Sequence, residues 1–142
     1  MELLVAADGS GRIRDSVLPA IANLADDVEP TVTVLHVVRA AAEAWSDEEL
    51  RQVMAERRHR LESLLVDSEY PATLLVEALP YGEEVASYIA HRARDLGVDA
   101  IVVCSKRAAG VMAGILGSTA QGLLRMSEVP VLVVRPNPAA ED

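Results

Sequence analysis

The sequence predicts a doubly wound α/β fold, in which a five-stranded parallel sheet carries helices on both faces. Segments with strand and helix patterns alternate along the 142 residues in the order β-α-β-α-β-α-β-α-β. All strand segments except the third are near-continuous apolar runs, which is typical of parallel strands covered on both sides. Because such strands are joined by right-handed crossovers, the intervening helices are expected to pack on both faces of the sheet.

The first strand is predicted over residues 2–7, where an apolar run ends at the turn sequence Asp8-Gly9-Ser10. A helix is predicted over residues 11–26, because apolar residues recur there at helical spacing. Pro19 lies inside this pattern and is expected to kink the helix or to delay its start. The β-branched run over residues 30–38 predicts the second strand.

The sequence Ser46-Asp-Glu-Glu49 is a capping-box pattern, which predicts the start of the second helix. Apolar positions up to Leu65 continue this helix. Residues 72–78 predict the third strand. Residues 82–96 predict the third helix, which is expected to end at Gly97.

The remaining strands are predicted over residues 100–104 and 130–134, with the fourth helix over residues 118–126 between them. At this length the chain is predicted to form one domain, over residues 1–135. Residues 136–142 are expected to be a flexible C-terminal tail.

Composition and charge exclude several classes of protein. The net charge of −9 argues against a nucleic-acid partner, because there is no basic stripe to replace phosphate counterions. No apolar run is long enough to span a membrane, and the N-terminus lacks the pattern of a signal peptide. The lone cysteine, Cys104, has no partner for an internal disulfide, so a cytoplasmic location is expected.

A glycine-bearing segment over residues 104–119 joins the fourth strand to the fourth helix. Backbone N–H groups and the positive helix end in such a segment favour an anion, although the Gly-Lys-Ser/Thr ending of a Walker loop is absent. Asp8 and this segment both follow strand carboxyl ends, so they share one crevice if strands one and four are neighbours. No catalytic constellation or metal-ligand spacing is visible in the sequence.

Four segments, taken in order, resemble the universal stress protein family over essentially the whole chain. They are residues 3–10 with the Asp-Gly-Ser turn, residues 34–38, residues 86–103, and residues 117–120 followed by 129–134. The resemblance implies a Rossmann-like fold of the adenine nucleotide alpha hydrolase-like type. It also implies a cytoplasmic, dimeric stress-response protein that binds ATP or a related adenine nucleotide, with Mg or Mn held by the phosphates and slow hydrolysis at most.

The resemblance places nucleotide contacts at the ends of strands one, two and four and at the start of the fourth helix. Asp8 is expected against the adenosine, with a turn-forming role as the alternative. The hydroxyl residues at the helix start are expected at the phosphates, with helix capping as the alternative. The full set implied is Ala6, Ala7, Asp8, Val38, Val103, Ser105, Lys106, Arg107, Gly117, Ser118 and Thr119.

The phosphate loop departs from the family pattern Gly-x2-Gly-x9-Gly-Ser/Thr. Gly117 and Ser118 match its end, but Arg107 and Cys104 stand where the two earlier glycines belong. Their side chains remove backbone freedom that glycine allows. Arg107 could fill the phosphate site or pair with the phosphates, with Lys106 adding charge. The alternative function is therefore a dimeric interaction module of the same fold that binds no nucleotide.

Strand five is expected to be the dimer contact. The family topology makes it an edge, and its sequence, Val131, Leu132, Val133 and Val134, contains no charge to guard that edge. The resemblance implies a homodimer through this strand, in which a two-fold pairing satisfies the free backbone groups. The alternative is an edge covered by residues 136–142.

Overall fold

The structure, a computed structural model, describes residues 1–25, 29–40, 44–68, 70–105 and 116–136. Within these ranges it is a five-stranded parallel sheet of order β3-β2-β1-β4-β5, with helices on both faces, as the sequence predicts. The strands are β1 Glu2–Ala6, β2 Thr31–Val38, β3 Ala72–Ala78, β4 Ala100–Cys104 and β5 Val131–Val134. The helices are α1, with a π-helical turn over Ile13–Val17 and an α-helical part over Leu18–Leu24, then α2 Asp47–Leu65, α3 Val85–Leu96 and α4 Ser118–Met126.

The core has two layers because strand side chains alternate between the faces of the sheet. On one face, Val5 and Val34 are fully buried in a cluster with residues of α1 and α2, including Leu61. On the other face, Leu4 is fully buried in a cluster with residues of α3 and α4, including Leu123. The carboxyl ends of the strands therefore open between an α1–α2 layer and an α3–α4 layer.

Two helix ends form as the sequence predicts. Ser46 and Glu49 make a reciprocal capping box, in which Glu49 N donates to Ser46 Oγ at 3.1 Å and Ser46 N donates to Glu49 Oε1 at 3.0 Å. Gly97 ends α3 in the left-handed conformation, with φ of 67°. A residue with a side chain adopts that conformation only with strain, so glycine defines the end of this helix.

Two helices differ from the course that the periodicity of their sequences suggests. The α-helical part of α1 begins at Leu18, with Pro19 in its first turn, where the missing N–H of proline is tolerated. The helix as a whole is not delayed, because a π-helical turn over Ile13–Val17 precedes Leu18 and its hydrogen bonds begin at Gly11 O. The predicted helix 82–96 begins only at Val85, because Gly82 has φ of 83° and cannot be helical.

The strand order creates a switch point at β1, which pairs with β2 on one side and β4 on the other. The crossovers run in opposite directions from this point, leaving a crevice above the carboxyl ends of β1 and β4. β5 lies at one edge of the sheet, as predicted. Of the predicted tail, residues 137–142 lie outside the described residues. None of the helices that the structure describes has the length and apolar content to cross a membrane.

Candidate functional site

A cavity of about 370 Å³ lies at the carboxyl ends of β1, β2 and β4, between the two helical layers. Its volume falls within the range of roughly 300–1,000 Å³ that is usual for small-molecule sites. Side chains from both layers line it. The strand ends contribute Ala6, Ala7, Asp8, Leu35, His36, Val37, Val38, Arg39, Val103 and Cys104. The α1–α2 layer contributes Arg12, Ile13, Val17, Trp45 and Arg57, and the α3–α4 layer contributes Val85, Ile89, Gly117, Thr119 and Ala120.

Most residues that the sequence analysis singled out meet in this cavity. Of the predicted nucleotide-binding set, the residues that line the cavity are Ala6, Ala7, Asp8, Val38, Val103, Gly117 and Thr119. Ser118 instead lines a neighbouring groove, which adjoins the cavity at Thr119 and Arg39. Ser105 is buried, and its backbone N donates to Val134 O at 2.9 Å. Lys106 and Arg107 lie outside the described residues.

Asp8 forms a turn and also presents a carboxylate to the cavity. Its Oδ1 accepts from Ser10 N at 2.9 Å, and its Oδ2 accepts from Arg12 Nη1 at 2.7 Å. Burial alone would raise the pKa of Asp8, but the Ser10 hydrogen bonds and the Arg12 charge outweigh it and hold the pKa below its ordinary value. The carboxylate is therefore ionised at neutral pH, and the turn-forming role considered as the alternative for Asp8 is observed.

His36 is a buried, neutral link between β1 and α2. Its Nδ1 lies 2.9 Å from Ala7 O, and its Nε2 lies 2.9 Å from Arg57 Nη1. A carbonyl can only accept and a guanidinium can only donate, so the proton is on Nδ1 and Nε2 accepts from Arg57. Burial lowers the pKa of His36 and the charge of Arg57 lowers it further, although the Ala7 hydrogen bond opposes both. The imidazole therefore orients the Arg57 guanidinium without competing with its charge.

The turn after β1 lies directly against this histidine. Gly9 has φ of 90°, and a Cβ at this position would be 3.3 Å from His36 Cε1. Arg60 Nε, from α2, donates to Gly9 O at 2.7 Å. The left-handed conformation favours glycine here, and a side chain would also have to displace the His36 ring by a few tenths of an ångström.

The described cavity lining is positively charged in an acidic chain. It contains three arginines, Arg12, Arg39 and Arg57, and one aspartate, Asp8. The net charge of the described lining is therefore +2, whereas the net charge of the whole chain is −9. Such a balance favours an anionic ligand. The sequence analysis missed these arginines and did not identify His36 as part of the site. One available signal was the position of Arg39, directly after the carboxyl end of β2.

The start of α4 faces the same cavity. The N-cap residue is Gly117, and no described side chain caps this end of the helix. The hydroxyl residues Ser118 and Thr119 follow the cap instead of forming it, so the capping role considered for them is wrong. The first N–H groups of a helix have no intrahelical acceptor, and they and the helix dipole favour an anion.

Comparisons with known proteins agree with this architecture. The model of the universal stress protein family matches residues 1–135. Universal stress protein YxiE of Bacillus subtilis is 29% identical, over 94% of this chain and 98% of its own length. Two solved structures are similar in fold. The hypothetical protein MJ0577 has a TM-score of 0.72 at 22% identity, covering 97% of both chains. The universal stress protein from Archaeoglobus fulgidus in complex with dAMP has a TM-score of 0.57 at 22% identity, covering 94% of this chain and 97% of its own.

Proposed function

This chain belongs to the universal stress protein family, and from that premise we propose that it binds an adenine nucleotide in the cavity above β1 and β4. The observation that supports the proposal most is that Asp8 and the start of α4, which no described side chain caps, meet at one cavity whose described lining has a net charge of +2. The dAMP complex of a relative with the same fold is a further support.

The chemistry of the lining suggests how the nucleotide lies. Ala6 and Ala7 have small side chains that leave room for a flat base, and the wall beside them is formed by Val38 and Val103, which are buried in the core. The ionised carboxylate of Asp8 is an acceptor for ribose hydroxyls. The phosphates then lie against Thr119 and the first N–H groups of α4. Since Asp8 already accepts from Ser10 and Arg12, a Mg or Mn ion would be held mainly by the phosphates.

Isothermal titration calorimetry with ATP, ADP and AMP, each with and without Mg or Mn, tests this proposal. We expect saturable binding with one site per chain. We expect the matching guanine nucleotides to bind more weakly, because guanine and adenine present different hydrogen-bond donors and acceptors. Absence of saturable binding for every adenine nucleotide at millimolar concentration would refute the proposal.

A second candidate function is an interaction module of the same fold that binds no nucleotide. It is favoured by Cys104 and Arg107, which occupy two glycine positions of the family's phosphate loop. A failed titration of a folded sample would support this candidate.

We further propose that the protein acts as a cytoplasmic homodimer with a regulatory role in the stress response. β5 is an edge strand without a charged residue, and Leu132 on it remains 37% exposed. Pairing of β5 with its copy would cover this side chain and satisfy the edge backbone groups. The lone Cys104 is compatible with a reducing compartment. Multi-angle light scattering is expected to give twice the chain mass, and a stable mass of one chain would contradict the dimer.

A further inference from the structure

Two of the three cationic residues in the described cavity lining lie on one side of it, whereas Arg39 lies where the cavity meets the groove beside Thr119. Arg12 directly precedes α1, and Arg57 lies on α2, so both belong to the layer that covers one face of the sheet. Thr119 and Ala120 at the start of α4 belong to the layer on the opposite face. The proposed phosphate position at α4 and the two arginines Arg12 and Arg57 therefore lie on opposite walls.

Arg57 is the arginine best placed to bind a ligand on its wall. Arg12 is already paired with Asp8 at 2.7 Å. Arg57 donates through Nη1 to the neutral His36, and no carboxylate of the described residues forms an ion pair with it. A guanidinium has five N–H groups. The His36 bond uses one of them and fixes the orientation of the rest beside the cavity.

A planar guanidinium held in one orientation is suited to phosphate, which it binds through two parallel hydrogen bonds. A purely structural role for Arg57, as a donor to His36, would need only one of its N–H groups. Arg39 lines both the cavity and the groove at the start of α4, so its charge is not confined to the α1–α2 wall. Arg57 therefore gives the α1–α2 wall the chemistry of a second anion-binding position, separate from the start of α4.

We propose that the cavity binds an adenine nucleotide with phosphates at two separate positions of the ribose, one at the start of α4 and the other at Arg57. This inference depends on the proposed adenine-nucleotide function. It specifies the ligand class as a nucleoside 3′,5′-bisphosphate or a larger molecule that contains that group, in preference to a nucleotide with one phosphate chain.

Two isomers provide a matched test. Adenosine 3′,5′-bisphosphate and ADP have the same base, the same sugar and two phosphates, and differ in where the second phosphate is attached. In calorimetric titrations of the wild-type protein at constant salt, we expect the 3′,5′ isomer to bind about tenfold more tightly than ADP, as one extra charge-assisted contact would give. The Arg57→Gln variant removes that charge and keeps a polar side chain with an N–H donor. It is expected to bind the two isomers within about twofold of each other, with little change for ADP.

The control variant is Arg58→Gln, which makes the same charge change on the next residue of α2. Arg58 is exposed and does not line the cavity, so this variant should keep the tenfold preference for the 3′,5′ isomer over ADP. Equal binding of the isomers by the wild-type protein, or tighter binding of ADP, would overturn the inference and leave the proposed function intact. A preference that persists in Arg57→Gln would also overturn it. Failure of both isomers to bind a folded wild-type sample would refute the proposed function and the inference together.

Discussion

Replacing Gly122 with valine is expected to lower the free energy of unfolding by about 3 kcal/mol. Gly122 lies in α4 where this helix packs on α3, and a Cβ added to it would be 2.6 Å from the Cβ of Ala86. Both residues are buried, so the two helices have to move apart to accept the new side chain. Chemical denaturation followed by circular dichroism would measure the change. A loss below about 0.5 kcal/mol would contradict close packing at this point.

A double variant provides the control for this prediction. Ala86→Gly with Gly122→Ala moves one methyl group from α3 to α4 and keeps the number of carbon atoms between the helices constant. Its stability is expected to lie within about 1 kcal/mol of the wild type, because helix propensity lost in α3 is regained in α4. If the double variant were as unstable as Gly122→Val, crowding between residues 86 and 122 would not explain the loss of stability in Gly122→Val.

The largest effect on binding is expected from Thr119→Trp. Thr119 lines the cavity at the start of α4, where the phosphates are proposed to lie, and an indole there would occupy ligand volume. We expect adenine-nucleotide affinity to fall by at least about a hundredfold, which corresponds to about 2.7 kcal/mol. Calorimetry under the wild-type conditions would measure it, and wild-type affinity in the variant would place the nucleotide elsewhere.

Leu124→Trp is the matched control, since it introduces the same side chain on the same helix. Leu124 is 52% exposed and does not line the cavity, so nucleotide affinity should change by less than about threefold. An equal loss in both variants would point to a general disturbance of α4, and thermal unfolding of the two proteins would show whether α4 had been disturbed.

The fold could be predicted because its signals are local. Apolar runs indicated the buried strands, and Ser46 and Gly97 marked helix ends through hydrogen bonding and backbone conformation that depend on neighbouring residues alone. The late start of α3 was missed because Gly82 fits a helical pattern in sequence but adopts a left-handed conformation in the turn. Periodicity reports which side chains face the core, and it does not report the backbone angles of a glycine.

The site was only partly predictable. Asp8 and Gly117 could be placed together because both follow carboxyl ends of strands that became neighbours. The role of Arg57 could not be predicted, because it depends on how α2 is rotated over the sheet and on a histidine that lies 21 residues earlier in the chain. Ser118 was expected beside Gly117 in the cavity, but it lines the neighbouring groove instead.

A crystal structure of the protein grown with saturating AMP would test the central claim most directly. The account predicts adenosine against Ala6, Ala7 and Val38, with Asp8 at the ribose and the phosphate at the first N–H groups of α4. Nucleotide bound outside this cavity, or an empty cavity in crystals at a nucleotide concentration that saturates the protein in solution, would contradict it.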